Sequence, residues 1–464
     1  MTPLWTSDEI AAATGGTASA SFEVTGVTFD SREVQPGDLF VAMPGTVHDG
    51  HKFVDGAFAA GAAGAIVSQP VAGPHVLVGN TFAALQALGR ASRERVNATI
   101  LGVTGSVGKT STKEALYAAL DRNCPGKVHR SVKSYNNHTG VPLSLARMPR
   151  QAEFAIFEMG MNNAGEIRAL TAQVRPNVAV ITAIAPAHIE NLGSEEAIAD
   201  AKAEIFEGLE PDGIAIIPND TPHRDRLLKA ARRHADRIVT FGRGDADVHA
   251  IHAVSAESGG SLISAELLER ELTFTISQRG EHWVSNALAV LAAVEAVGAD
   301  VAIAGLALAD LGGLKGRGER HIIRLDGGEV LLIDESYNAN PASMAATLKS
   351  LGVEQDVTRR IAVLGPMREL GEHGPALHAG LAPAVRDAHV DRLILIGEEM
   401  APLGSAVGAE LQTDRVESVV EATEALLRIL RPGDAVLVKA SNSVGLSKLV
   451  EQVAAKAGSA ACST

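Results

Sequence analysis

Aromatic residues are scarce in this 464-residue chain, at 3% of the total with two tryptophans and three tyrosines. Few rings are on hand to stack on unpaired bases, so the cores must be built from alanine, valine, leucine and isoleucine. Basic residues are outnumbered, 41 Lys and Arg against 55 Asp and Glu, and the net charge of −14 argues against a nucleic-acid surface. Cys124 and Cys462 are too few for a disulfide framework and stand in no metal-ligand spacing. No apolar run reaches the length of a membrane span, and MTPLWTSDEI at the start has neither a basic lead nor an apolar stretch. The expectation is a cytoplasmic monomer with no nucleic-acid partner and no membrane insertion.

What the chain does have is length, 46% apolar residues and one punctuated stretch, ATILGVTGSVGKTSTKEALYAAL, at 98–120. The length exceeds what one core holds and predicts two to four α/β domains. Ile100, Leu101 and Val103 read as a buried strand, and Ala115, Leu116, Ala119 and Leu120 as the apolar face of a helix. Between them runs Thr104-Gly105-Ser106-Val107-Gly108-Lys109-Thr110-Ser111. A loop short of side chains lets backbone N–H groups close on phosphate oxygens, with the positive end of the new helix aimed there. Lys109 would reach the outer phosphates and the Thr110 hydroxyl would hold magnesium, which makes this an ATP site.

Residues 1–97 alternate strand and helix as a small α/β domain. Its Asp30-Ser31-Arg32 turn suits a pyrophosphate, or is a solvated turn. Residues 98–320 form a central domain built on the phosphate loop. Its strand from Phe154 ends at Glu158, another exits at His188, and a helix capped by Ser194 carries Lys202. Segment 246–276 alternates as an antiparallel extension, and Gly-rich 312–318 reads as a hinge. Residues 321–464 hold short apolar strands separated by helices, a doubly wound domain without G-x-G-x-x-G. Asp334 and Asn338 at a strand's carboxyl end suit ribose or adenine, or a capped helix start.

Four further segments, YNNHTGVP (135–142), FEMGMNNAGEI (157–167), DESYNANP (334–341) followed by Ala-Ser-Met, and LGPMRELGE (364–372), give the whole chain a resemblance to the Mur ligase family, ATP-dependent amide-forming enzymes of peptidoglycan synthesis. The resemblance narrows to the branch that joins D-alanyl-D-alanine to UDP-N-acetylmuramoyl-tripeptide. It implies three domains: an N-terminal one for the UDP substrate, a central mononucleotide-binding one, and a C-terminal Rossmann-like one that closes over ATP and receives the dipeptide. It implies two magnesium ions, with Lys109, Thr110, Glu158 and His188 as catalytic or metal-holding groups, and a carbamate on Lys202. By the same resemblance Asn286, Arg317, Asp334 and Asn338 hold the nucleotide and Ser31 and Arg32 seat the UDP moiety. Asn136, Asn137 and Asn162 would turn toward the substrates. The chain departs from the family at Pro366, where aspartate is usual, and at Ala440, where glycine is usual. Another Mur-type ligase, a folylpolyglutamate-type ligase and a P-loop motor are the other readings, and the acidic balance speaks against the motor.

Overall fold

The computed structural model describes residues 3–45, 49–187, 189–256, 260–268 and 270–460. Among these, three large sheets follow one another along the chain, of five, nine and six strands. The first runs in the order Thr17–Ala18, His75–Leu77, Gly64–Val67, Asp38–Val41, Gly26–Thr28, parallel after its first pairing. Helix α1 (Thr81–Arg95) covers it, started by Asn80, whose side chain accepts from the Ala83 amide at 2.9 Å.

The middle sheet is centred on β1 (Thr99–Thr104), which leads through the glycine loop into α2 (Lys109–Asn123). Helix α3 (Gly140–Ala146) follows, then β2 (Phe154–Glu158) and β3 (Val178–Ile181), which flank β1 on either side in parallel. Both faces of this sheet are covered, which is why β1 reads as a continuous apolar run rather than an alternating one. Helix α4 (Glu195–Ala203) has the Ser194 cap that its sequence predicts. The 246–276 segment is the expected extension: Ser261–Leu267 pairs antiparallel with both neighbours and alternates buried with exposed positions. Helix α5 (Glu281–Ala296) is apolar nearly all round and is buried along Ala287–Val294.

The first lobe is fused to the middle one through a shared core. Leu143 and Ala146 of α3 join Leu39, Val41, Leu85 and Leu88 in one apolar cluster. A Cβ on Gly89 of α1 would sit 3.0 Å from the Pro142 carbonyl oxygen, so glycine permits the close approach of α1 and α3. Trp5 Nε1 donates to the Ala146 carbonyl at 2.8 Å, and the Arg95 guanidinium stacks 3.4 Å over its ring.

The third sheet begins as a hairpin, β4 (Glu319–Leu325) antiparallel to β5 (Gly328–Glu335). Helix α6 (Pro341–Gly352) follows, with Asn340 and Ser343 forming a reciprocal cap. Strand β6 (Asp434–Lys439) lies between β5 and Arg359–Leu364, and the sheet ends on Gln412–Val416. That last strand, QTDRV, is too polar to have been legible as one; as an edge strand it needs no second apolar face.

An acid-sensitive point lies at the opposite edge of the middle sheet. His129 packs against Phe157 and its Nε2 meets the Ser144 carbonyl at 2.8 Å. Burial pushes its pKa from 6.5 down to about 4, so the folded chain binds a proton later than the unfolded one. The stabilisation is complete above 6.5 and is lost as pH falls toward 4, by about 3 kcal/mol in all. Denaturant titrations should show this decline, and His129→Gln, which cannot titrate, should flatten it.

Candidate active site

The carboxyl ends of β1, β2 and β3 lie side by side, because the three strands are parallel neighbours, and the chain passes β1 on its way from β2 to β3. The glycine loop after β1 has no space for side chains at its two glycines. A Cβ on Gly105 (φ 153°) would lie 1.9 Å from Thr182 Oγ1, and one on Gly108 (φ 83°) 2.7 Å from Asn286 Oδ1. The loop is strapped to the segment after β3: Ser106 Oγ donates to the Ala185 carbonyl at 2.8 Å and accepts from its amide at 3.0 Å. Thr182 Oγ1 donates to the Val107 carbonyl at 2.5 Å.

Lys109, the first residue of α2, folds back to donate to the Gly105 carbonyl at 2.6 Å. Burial lowers its pKa, with Glu158 pulling it up and Arg317 down. Thr110 Oγ1 donates to Glu158 Oε2 at 2.9 Å, and Asn136 Nδ2 donates to Glu158 Oε1 at 2.8 Å. Glu158 is 1% exposed, and its two oxygens are held by a hydroxyl and an amide rather than by a cation. A buried carboxylate beside a hydroxyl is a hard-oxygen set that suits magnesium. Lys113 was passed over in the sequence, where nothing but its four-residue spacing from Lys109 marks it. It is fully buried and donates to the carbonyls of Ser131 (2.8 Å) and Lys133 (2.6 Å), fixing the loop that presents Ser134 and Asn136.

Lys202 lies in α4 at 1% exposure. Burial first, and then repulsion from Lys109, hold its pKa well below the ordinary lysine value. That repulsion shows Lys202 to be near the loop. His188 lies outside the described residues.

A cavity of ≈ 470 Å³ opens between this loop and the third lobe, lined among others by residues 106–111, Asn286, Arg317 and Asn338. Asn136 and Asn162 also face it. Arg317 stacks 4.2 Å from the Tyr337 ring. Other predicted residues sit elsewhere. Asp334 accepts from the Gly316 and Ser336 amides, both at 3.0 Å, and thereby fastens the 312–318 segment to β5. Asn137 Oδ1 accepts from the Thr139 and Gly140 amides at the start of α3. Arg32 is turned back onto Asp30, at 2.6 and 2.9 Å, and lowers that carboxyl to about 2. Ser31 stands in the same turn, beyond the cavity's lining.

Several lining groups carry no assigned role in the sequence reading. His282 and Trp283 come from the start of α5; burial lowers the His282 pKa. Glu335 and Lys439 end β5 and β6, and Lys439 Nζ reaches Glu335 Oε2 and the Asn338 carbonyl, each at 3.1 Å. The strand-end position of both charges was the available signal. The two departures at Pro366 and Ala440 fall together. The Ser441 amide donates to the Pro366 carbonyl at 3.1 Å, and a Cβ on the adjacent Gly365 would lie 2.8 Å from the Ala440 methyl.

Residues 23–116, 103–294 and 316–442 match, respectively, the Mur ligase family catalytic domain, the Mur ligase middle domain and the Mur ligase glutamate ligase domain. The UDP-N-acetylmuramoyl-tripeptide--D-alanyl-D-alanine ligase of Synechocystis sp. is 35% identical over 447 residues, 94% of each chain. The fold is similar to that of MurF from Acinetobacter baumannii, with a TM-score of 0.84, 29% identity, and coverage of 97% of this chain and 99% of that one. It is also similar to MurF ligase from Thermotoga maritima in complex with ADP, with a TM-score of 0.77, 27% identity, and coverage of 94% and 98%.

Proposed function

The chain belongs to the Mur ligase family, and we propose that within it the protein joins D-alanyl-D-alanine to UDP-N-acetylmuramoyl-tripeptide at the expense of ATP, the last cytoplasmic step of peptidoglycan precursor synthesis. It is an ATP-dependent amide-forming ligase. The observation that carries the reading is the Lys109–Thr110–Glu158 group at the mouth of a cavity sized for a nucleotide.

A carboxylate does not yield to an amine, because oxide is too poor a leaving group. The tripeptide's terminal carboxylate oxygen attacks the γ-phosphorus of ATP, the bond to ADP breaks, and an acyl phosphate results. The free amine of D-alanyl-D-alanine then attacks the acyl carbon and phosphate departs. The first step drives an anion at a polyanion, so the protein's part is positioning and charge neutralisation. The loop amides of 106–111 and the Lys109 ammonium would hold the outer phosphates, releasing Lys109 from the Gly105 carbonyl.

Thr110 and Glu158 would hold magnesium, which supplies positive charge to the triphosphate. We assign a second magnesium site to His188 and a carbamate on Lys202. The burial and the nearby Lys109 that lower the Lys202 pKa favour its amine form, whose lone pair would add to carbon dioxide and, with loss of a proton, give an anion. Asn286, Arg317 and Asn338 would contact the nucleotide, with Asp334 acting on it through the linker it fastens.

Residues 1–97 form the proposed UDP-substrate domain, with Ser31 and Arg32 at the UDP moiety, and 98–320 the ATP-binding domain. Residues 321–464 are the domain that closes over ATP and receives the dipeptide. Asn136, Asn137 and Asn162 belong to loops we place at the substrates. The protein is proposed to act as a monomer on small-molecule substrates. ATP and a UDP-linked substrate place the reaction in the cytoplasm.

Phosphate release in a coupled assay should require both UDP-N-acetylmuramoyl-tripeptide and D-alanyl-D-alanine. Turnover with glutamate and a folate would move the assignment to a folylpolyglutamate-type ligase. ATP turnover with no acceptor would favour a motor.

A further inference from the structure

Three consecutive residues at the start of α5 each meet the far end of α6, although the two helices belong to different sheets. Arg279 Nη1 donates to Glu354 Oε2 at 3.1 Å, and Glu281 Oε2 lies 2.9 Å from Lys349 Nζ. Between them Gly280, at φ 106°, leaves no room: a Cβ there would lie 2.6 Å from Ser350 Oγ and 2.9 Å from His282 Cε1. Glycine is needed at this contact both for its backbone conformation and for its missing side chain.

Glu354 is a fixed anchor. It is 4% exposed, takes the Arg320 guanidinium in a two-bond fork at 2.8 and 2.7 Å, and its carbonyl accepts from Arg360 at 2.8 Å. Arg320 stands on β4 and Arg279 on the middle lobe, so one buried carboxylate gathers a cation from each side of the linker. A carboxylate held by directed bonds from two guanidinium groups has little freedom to move, and the fork from Arg320 keeps it compensated by itself. A small cavity beside the pair shares His282, Trp283 and Thr347 with the large one, so the contact stands immediately behind the wall of the ATP cavity.

We propose that Arg279 is a positioning residue for nucleotide binding. By pinning the end of α6 to the start of α5, it sets the distance between Ala346 and Thr347 on one side and His282 and Trp283 on the other. The phosphates belong at the glycine loop, so this is the nucleoside end of the cavity, and its width is fixed by the 279–281 contact. The inference rests on reading the large cavity as the ATP site.

The test is calorimetric binding of ADP to the full chain, alongside KM for ATP in the coupled assay. Arg279→Met leaves Glu354 paired with Arg320, so the fold should hold, with the midpoint of thermal unfolding little changed. ADP should bind about tenfold more weakly. KM for ATP should rise by a similar factor while kcat at saturating ATP stays, and Arg279→Lys should restore part of the loss. Gly280→Ala, which strains the φ 106° backbone and crowds Ser350 and His282 without removing a charge, should move affinity the same way and serves if Arg279→Met does not fold. Wild-type ADP affinity in both Arg279→Met and Gly280→Ala, or a fall in kcat with KM unchanged, overturns the proposal. Lys109→Ala is the reference: if it too binds ADP like wild type, the ATP reading itself is at fault, whereas a loss there with none in the other two isolates the failure to Arg279.

Discussion

Lys109→Ala is expected to reduce ligase turnover on the order of 10³-fold, the upper end of what loss of one preorganised donor to developing negative charge costs. The fold should survive. The Lys109 ammonium is buried with one hydrogen bond to the Gly105 carbonyl and a lowered pKa, so desolvation sets its cost in the free protein. Removing it takes away a charge the unliganded fold does not benefit from keeping dry. Thermal unfolding should therefore match the parent without nucleotide, while the stabilisation that ATP gives by mass action should shrink. Parent-like turnover would remove the glycine loop from the mechanism.

Lys202→Ala should be comparably damaging, by about 10²–10³-fold, because it removes the proposed carbamate anion. It differs from Lys109→Ala in one respect that a structural role would not reproduce. The substitution leaves a buried hollow beside Lys109, and a short carboxylic acid such as acetate or propionate can supply the missing anion there. Partial recovery of activity with added acid, saturating with its concentration, is the expected result. Full activity without acid would take Lys202 out of the reaction, and recovery by a neutral molecule of the same size would show that only volume was missing.

How far these groups could be read from the sequence follows from how local their signals are. The glycine loop, the Ser194 cap and the apolar runs of β1 and β3 are local, since each is set by its own neighbours, and they stand where sequence reasoning put them. The Thr110–Glu158 hydrogen bond joins residues 48 apart and depends on β2 lying next to β1, which only the strand-end argument anticipated. Asp334 shows the opposite outcome. Its strand-end position is real, yet its oxygens are taken by two backbone amides, which spacing does not reveal. Lys113 is an ordinary lysine in the sequence, and Lys439 is marked there only by its strand-end position. Their burial comes from elements that pack over them from elsewhere in the chain, and burial is what makes a lysine informative.

The welded contact between the first and middle lobes, with Trp5 and Arg95 stacked beneath α3, has a bearing on inhibitor design. A compound laid across that seam meets two bodies already locked together, and gains only what its own contacts give. One that bridges the glycine loop to α6 instead spans two lobes held beside that crevice by the Arg279–Glu354 and Glu281–Lys349 pairs, and must fit the spacing those pairs set. Medicinal chemistry aimed at the second crevice should therefore favour stiff scaffolds pre-shaped to that spacing, since such a compound loses least freedom on binding.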